Sequence, residues 1–404
     1  MVLVSNEKRN VLVLAGAQAL FQTVTVMTMT IAGLVGLTLA PDKSLATLPI
    51  AMMMVSVAAI MIPASLIMQN FGRKTGFFIG STLGCVAGLT AAGAIWINSF
   101  WLFVFATMLI GGYQAFAQYY RFAAAEAASS NFRSRAISWV VAGGVVAAIA
   151  GPNIARFTQD LGQAPYMISF LAMSVLSVAA FILLTRLGLP SDVTSSSTAE
   201  AENVEVARPL WKIMKQGVFL TAVVGSSVGF AMMIMVMTAT PLAMRSLDYA
   251  TGDYTTVIQW HVLGMFLPSF VTGGLIARFG VLPIMTAGIA FFGGHVFIVM
   301  NGDSFMHFLS GLAFVGLGWN FLFIGGTTLL TEAYRPSERA KTQAAHDFLM
   351  FASVSLGSLS AGGLLDLWGW NAINLAVIPF LLIAIVTVFT LALLRRRTRQ
   401  PAGV

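Results

Sequence analysis

Two constellations in this 404-residue chain carry groups suited to holding a solute, and they recur in one register. Gly112-Tyr113-Gln114 precedes Glu126-Ala127, Arg133 and Arg135; Gly318-Trp319-Asn320 precedes Glu332-Ala333, Arg339 and Lys341 at the same spacing. Amides supply both donors and acceptors, and aromatic rings offer faces to a planar molecule. That is binding chemistry rather than bond-breaking chemistry. No nucleophile–base cluster accompanies it, so an enzyme is not expected. The single cysteine, Cys85, lies in an apolar run and reads as a packing residue; it excludes an intramolecular disulfide. Four scattered histidines have no metal-ligand spacing, and no G-x-x-x-x-G-K-[ST] sequence offers ATP drive. Neither metal nor cofactor is expected. His261 and His295 lie within apolar runs, His307 and His346 near their ends. Imidazole titrates near physiological pH, and His346-Asp347 sets an acid beside one. Proton coupling and uniport both stay open on these residues.

The elements that must position these groups follow from composition. Hydrophobic residues make up 58% of the chain and charged ones only 9%, with a mean hydropathy of +0.86. A soluble domain carries about 25% charged residues to cover its surface. This chain instead reads as an all-α integral membrane protein, since each ~20-residue apolar run crosses the hydrocarbon core as a helix. Twelve such runs are predicted, at roughly 11–38, 45–68, 76–97, 100–125, 137–157, 166–186, 213–241, 254–276, 283–301, 304–333, 343–365 and 372–394. The first is too long, and lacks a small-residue cleavage site, for a removable signal peptide.

Of 22 Lys and Arg residues, only Lys43, Arg156 and Arg245 fall on the side opposite the termini. That asymmetry predicts cytoplasmic N- and C-termini. It also explains the net charge of +7 without nucleic acid. Residues 187–211 are rich in Ser, Thr, Ala and Glu and read as a solvated linker. The predicted organisation is therefore a six-helix half over 1–186, a cytoplasmic linker over 187–211, and a second half over 212–404.

The halves match again after their second spans. SLIMQNFGRKTGF and GGLIARFGVLPIM both place Phe-Gly (Phe71-Gly72, Phe279-Gly280) behind an apolar helix. Parallel six-helix repeats joined by a cytoplasmic linker resemble the major facilitator superfamily. The resemblance covers the whole chain and implies that fold of two six-helix pseudo-repeats. Gly72, Arg73 and Lys74 match the end of the family's G-x-L-x-D-R-x-G-R-R loop. Gln69 stands where the family has Asp and Ser65 where it has Gly, so the salt bridge assigned to that Asp lacks its acid here. Gly151-Pro152 resembles the antiporter-associated G-x-x-x-G-P motif without its final glycines. Thr107 and Met108 occupy the positions where the family's span-four Arg is expected. YRFAAAE, FRSRAIS and TEAYRPSERAK resemble a proteobacterial branch associated with riboflavin uptake.

The resemblance implies an inner-membrane transporter working by alternating access, with spans one, four, seven and ten lining a central cavity. The matching polar residues are Gln18 and Gln22, four apart on one helical face, with Tyr113, Gln114, Gln118, Trp319 and Asn320. The alternative reading of the same residues is helix–helix hydrogen bonding, with the aromatics as packing. Glu126 with Arg133 and Arg135, and Glu332 with Arg339 and Lys341, are expected to form gating salt bridges, beside Gly72 and Arg73. Every acid falls in a predicted loop or near a helix end, and Arg121 is the base nearest a span interior. Because a charge in lipid is costly, the expected cargo is neutral or zwitterionic, a flavin first. The alternative is proton-coupled efflux of drug-like or metabolic solutes, argued from Gly151-Pro152. The expected partners are the solute and the bilayer, and the expected state is a monomer.

Overall fold

The computed structural model describes residues 2–42, 45, 48–188 and 207–399. The predicted linker lies for the most part outside the described residues. Among those described, every regular element is helical. The chain divides into two compact units, Met1–Val206 and Ala207–Val404.

The first unit contains α1 (Val2–Leu39), α2 (Leu48–Phe71), α3 (Arg73–Trp96), α4 (Phe100–Ala117), α5 (Tyr120–Ala127), α6 (Arg133–Ala142), α7 (Gly144–Thr158) and α8 (Met167–Thr185). The second contains α9 (Leu210–Met214), α10 (Gly217–Ser246), α11 (Thr251–Phe266), α12 (Ser269–Phe279), α13 (Val281–Met300), α14 (Phe305–Leu330) and α15 (Arg339–Arg399). Three predicted spans are each built from two pieces: α4–α5 around Gln118 and Tyr119, α6–α7 around Gly143, and α11–α12 around Leu267 and Pro268. Pro268 has no N–H to give the preceding turn, which accounts for the last break.

Eleven helices among the described residues are long and apolar enough to cross a membrane. The twelfth is the part of α15 before Gly369, where φ of 76° and ψ of −178° interrupt the helix. Its first turns carry Arg339, Lys341, His346 and Asp347. The exterior is apolar: Leu66, Trp101, Phe105, Phe270, Phe297 and Phe389 are all more than half exposed. Gln114, Asn320, His295 and Asp347 are buried. Apolar outside and polar groups paired or enclosed within is the distribution lipid requires.

The repeat is visible in the backbone. Gly72 ends α2 and begins α3 with φ 85° and ψ 155°; Gly280 ends α12 and begins α13 with φ 87° and ψ 162°. This region is essentially closed to residues with a Cβ. Close glycine contacts occur in both units, one position out of register. A Cβ on Gly111 of α4 would come within 2.3 Å of the Met53 carbonyl of α2, and one on Gly316 of α14 within 2.6 Å of the His261 carbonyl of α11. Finally, α6 opens at Arg133 and α15 at the register-equivalent Arg339.

Candidate functional site

In the first unit, Gln18 and Gln22 project from one face of α1, each half-buried, and Gln18 Nε2 donates to Gln22 Oε1 at 3.3 Å. Tyr113 is fully buried. Its ring packs edge-on to Phe21 at 5.1 Å and lies against α3, where a Cβ on Gly84 would fall 2.4 Å from Tyr113 Cδ1. Those neighbours occupy the ring, so Tyr113 offers its hydroxyl rather than the stacking face expected from the sequence. The Gln114 Oε1 is buried without a hydrogen-bond partner among the described residues, and the Tyr113 and Tyr120 hydroxyls are buried facing each other. Gln118 accepts from Arg121 Nη1 at 2.6 Å, and the Arg121 guanidinium also lies 4.7 Å from the Phe122 ring centre.

The second unit divides the work differently. Trp319 stacks on Phe323 at 4.7 Å and 13°, and meets Phe230 and Phe266 edge-on at 5.6 and 5.5 Å. Phe351 of α15 joins the cluster through Phe230 at 5.6 Å. The Trp319 Nε1–H has no acceptor among the described residues. Asn320, by contrast, donates to the Met265 carbonyl and to Ser269 Oγ, and accepts from Thr272 Oγ1, each at 2.6 Å. These bonds tie α14 across the α11–α12 break. Asn320 is thus engaged in helix packing, whereas its repeat counterpart Gln114 keeps an oxygen open.

Buried polar atoms without partners are few in folded proteins. Here several gather on α4–α5 and on the register-equivalent helix α14, where Thr327 and Thr328 add two unpartnered hydroxyls to the Trp319 indole N–H. Tyr120, Thr327 and Thr328 were not singled out from sequence. Extending the repeat past Gly112 and Gly318 sets Tyr120 against Gly326 and Thr327 against Arg121, so the register gave no signal for them.

The basic and acidic residues pair differently from expectation. Arg73 was read as a loop base; it opens α3 with its side chain only 5% exposed. Its Nη2 meets Glu126 Oε1 at 2.7 Å and its Nε meets Oε2 at 3.3 Å, while its guanidinium lies 5.2 Å from the Tyr119 ring centre. Position 281, equivalent to Arg73, is Val. Glu332 instead meets Arg395 Nη2 at 2.5 Å, with both side chains at least a third exposed. Arg133 is half-buried and Arg135 exposed on the first turn of α6. Lys341 Nζ donates to the Arg208 carbonyl.

Two acids placed by sequence in a loop or near a helix end are enclosed. Glu338, in the turn Pro336–Glu338, accepts from Arg208 Nη2 at 2.6 Å, from Arg208 Nε and N at 2.8 Å, and from Arg335 N at 3.0 Å. The Arg208 hydrogen bonds, with the two backbone donors, hold its carboxyl down at about 2 against desolvation. Asp347 lies two turns inside α15, fully buried, with Oδ1 2.7 Å from His346 Nδ1. Proximity to a helix end in sequence did not mean access to water.

The Major Facilitator Superfamily model matches residues 14–267 and 251–403. The chain is 38% identical over 380 residues to the riboflavin transporter RfnT of Brucella anthropi, covering 94% of each. It is 27% identical over 376 residues to the uncharacterized MFS-type transporter YdeG of Bacillus subtilis, covering 89% of this chain and 86% of that one. Among solved structures, the E. coli fucose:proton symporter FucP superposes with a TM-score of 0.74 at 12% identity, over 95% of this chain and 99% of that one. The human organic anion transporter MFSD10 gives 0.74 at 11%, over the same shares.

Proposed function

The chain belongs to the major facilitator superfamily, and from that premise we propose that it carries riboflavin, or a closely similar flavin, into the cell by alternating access. The observation that carries the reading is the set of buried, unpartnered polar atoms on α4–α5 and α14. In the first unit the Gln114 Oε1 accepts, beside the Tyr113 and Tyr120 hydroxyls and the buried Arg121 guanidinium; in the second the Trp319 Nε1–H donates. A neutral ring system with carbonyl and imide edges is complementary to such a set. The likeness to RfnT over nearly the whole length supports the same cargo.

Within this reading Tyr113, Gln114 and Trp319 contact the solute, and the half-buried Gln18, Gln22 and Gln118 line its route. Asn320 positions Trp319 by holding α14 to α11 and α12. Arg73–Glu126 and Glu332–Arg395 act at the cytoplasmic gate, with Arg133, Arg135, Arg339 and Lys341 on the helix starts beside them. The Lys and Arg asymmetry supports cytoplasmic termini in a bacterial inner membrane, with 187–211 as the linker between halves and the monomer as the working unit.

The deciding experiment is growth of a riboflavin auxotroph that lacks its own importer. Expression of this chain restores growth on low external riboflavin. Failure to grow, with the protein verified in the membrane, overturns the flavin reading. The efflux alternative rests on Gly151-Pro152 in α7, where a Cβ on Gly151 would meet Val26 Cγ1 of α1 at 2.8 Å. It predicts reduced accumulation of the solute in expressing cells.

A further inference from the structure

The second unit opens with a surface that solute binding does not use. Pro209, held at φ −62°, turns the chain into the short helix α9. Ile213 on that helix is fully buried and pins it to the unit, while Trp211 stands 56% exposed. Two cations flank this one indole. Lys215 Nζ lies 5.0 Å from the ring centre and Lys212 Nζ 5.6 Å, and both lysines are exposed.

The patch sits where a bilayer changes from apolar to polar. Gly217, two residues after Lys215, starts the membrane-spanning helix α10. A Cβ on Gly217 would lie 3.6 Å from Leu391 Cδ1, and Thr221 Oγ1 donates to the Thr387 carbonyl at 3.2 Å. The last turns of α15 therefore run alongside the start of α10. On those turns Phe389, Leu393 and Leu394 are exposed, and the exposed Arg396 follows at once. Apolar surface thus gives way to an indole and cations within a turn or two. Trp favours the headgroup level of a membrane, and lysine lays its stem on apolar surface while its ammonium stays in the polar layer.

The charge of this patch has no answer within the unit. Among the described residues, no carboxylate lies within ion-pair distance of Lys212 or Lys215. The acids at this end are engaged: Glu332 meets Arg395, and Glu338 meets Arg208. Like charges one helical turn apart repel, and the indole offsets that only in part. An anion placed between the two ammonium groups removes the repulsion and takes a charge-assisted hydrogen bond from each. A zwitterionic headgroup would bring its own cation to a patch with no acid left to meet it, so a headgroup of net negative charge fits better.

We propose that Trp211, Lys212 and Lys215 bind the phosphate of an anionic phospholipid, whose acyl chains lie against the exposed apolar end of α15. The inference needs only the membrane-spanning chain and is independent of the solute carried.

Native mass spectra of the purified full chain, titrated with phosphatidylglycerol or with phosphatidylcholine of the same acyl chains, test the site. Phosphatidylglycerol binds the wild type more tightly than phosphatidylcholine. Lys212→Gln and Lys215→Gln each weaken phosphatidylglycerol by a factor of about 5, and together by about 25, leaving phosphatidylcholine unaffected. Both side chains are exposed, so the unfolding midpoint in detergent stays at the wild-type value. Unchanged phosphatidylglycerol affinity in the double variant overturns the site. An equal loss in Arg156→Gln/Arg245→Gln, which removes two exposed charges elsewhere, would reduce the effect to net charge and overturn it too. Competition by excess inorganic phosphate or glycerol 3-phosphate would assign the patch to soluble anions and overturn the lipid.

Discussion

The Arg73 guanidinium grips Glu126 through two nitrogens in the interior of the first unit, and among the described residues the repeat-equivalent Glu332 has no such grip. Val281 replaces the arginine there, and Glu332 reaches Arg395 at an exposed surface. Two acids in identical register thus sit in different dielectrics. Removing one partner of a buried pair leaves an uncompensated charge and costs about 3–5 kcal/mol, whereas exposed pairs contribute about 0–1 kcal/mol. Glu126 is itself 20% exposed, which places its cost toward the low end of the buried range. Glu126→Gln therefore lowers the thermal unfolding midpoint of the detergent-solubilised protein clearly, and Glu332→Gln barely moves it. Equal shifts would contradict this asymmetry.

The same corner makes a second prediction through its backbone. Gly72 and Gly280 both hold φ near +85° with ψ close to 160°, yet a Cβ at Gly72 meets nothing within 4 Å. Space is not the constraint; conformation is. Gly72→Ala and Gly280→Ala should each destabilise by about 1–3 kcal/mol. Gly72→Asn brings no relief, because Asn is suited to the ordinary left-handed region and not to this one. Recovery of wild-type melting in Gly72→Asn would show that the corner tolerates side chains.

How legible this was in the sequence differs between backbone and partners. Phe71-Gly72 and Phe279-Gly280 announced the paired corners, and the register of Arg133 and Arg339 announced two helix starts. What could not be read was which acid meets which base. Glu126 pairs across 53 positions with Arg73, a residue read as a gating base of the loop after the second span, whereas Arg133 and Arg135 were its expected partners. Asp347 was near a helix end along the chain, but enclosure depends on what α10 brings beside it. Tyr113 and Trp319 were found as a pair because repeats preserve position. Their different surroundings, glycines of α3 for one and a phenylalanine cluster for the other, come from residues far away in sequence.

The equivalent amides Gln114 and Asn320 should respond oppositely to truncation. Asn320→Ala breaks its three hydrogen bonds to Met265, Ser269 and Thr272, each worth about 0.5–1.5 kcal/mol net, while Thr272 Oγ1 keeps the Pro268 carbonyl. Gln114→Ala removes an oxygen with no protein partner, and so costs less stability. In riboflavin uptake the order reverses for well-folded protein, with Gln114→Ala raising KM. Melting curves and uptake kinetics on the two variants check the crossing.

Trp319→Phe isolates the indole N–H from the ring. The stack on Phe323 and the edge contacts to Phe230 and Phe266 persist with a phenyl ring, while the unpartnered donor disappears. A hydrogen bond to an uncharged solute contributes about 0.5–1.5 kcal/mol. Riboflavin KM should therefore rise by a factor of about 2–13, with the unfolding midpoint changed little. A large loss of stability with unchanged KM would assign Trp319 to packing alone.

The Glu338–Arg208 pair predicts a pH window. Glu338 has its carboxyl lowered from an ordinary 4.5 to about 2 by the Arg208 hydrogen bonds. A carboxyl whose pKa is depressed on folding adds stability that is fully present above the unfolded value and disappears as pH falls through the folded one. The gap in unfolding midpoint between wild type and Glu338→Gln is then constant from neutral pH down to about 5, narrows below 4.5, and closes toward 2. Arg208→Gln narrows that pH dependence, because it removes the leading cause of the depression and leaves the two backbone donors. The same gap measured at high salt discriminates burial from surface attraction. Glu338 is enclosed and Arg208 is only 30% exposed, so screening reduces the gap far less than it would for an exposed pair. A gap that vanished in salt at neutral pH would mean that the turn 336–338 opens to water and that the pair does not anchor the start of α15.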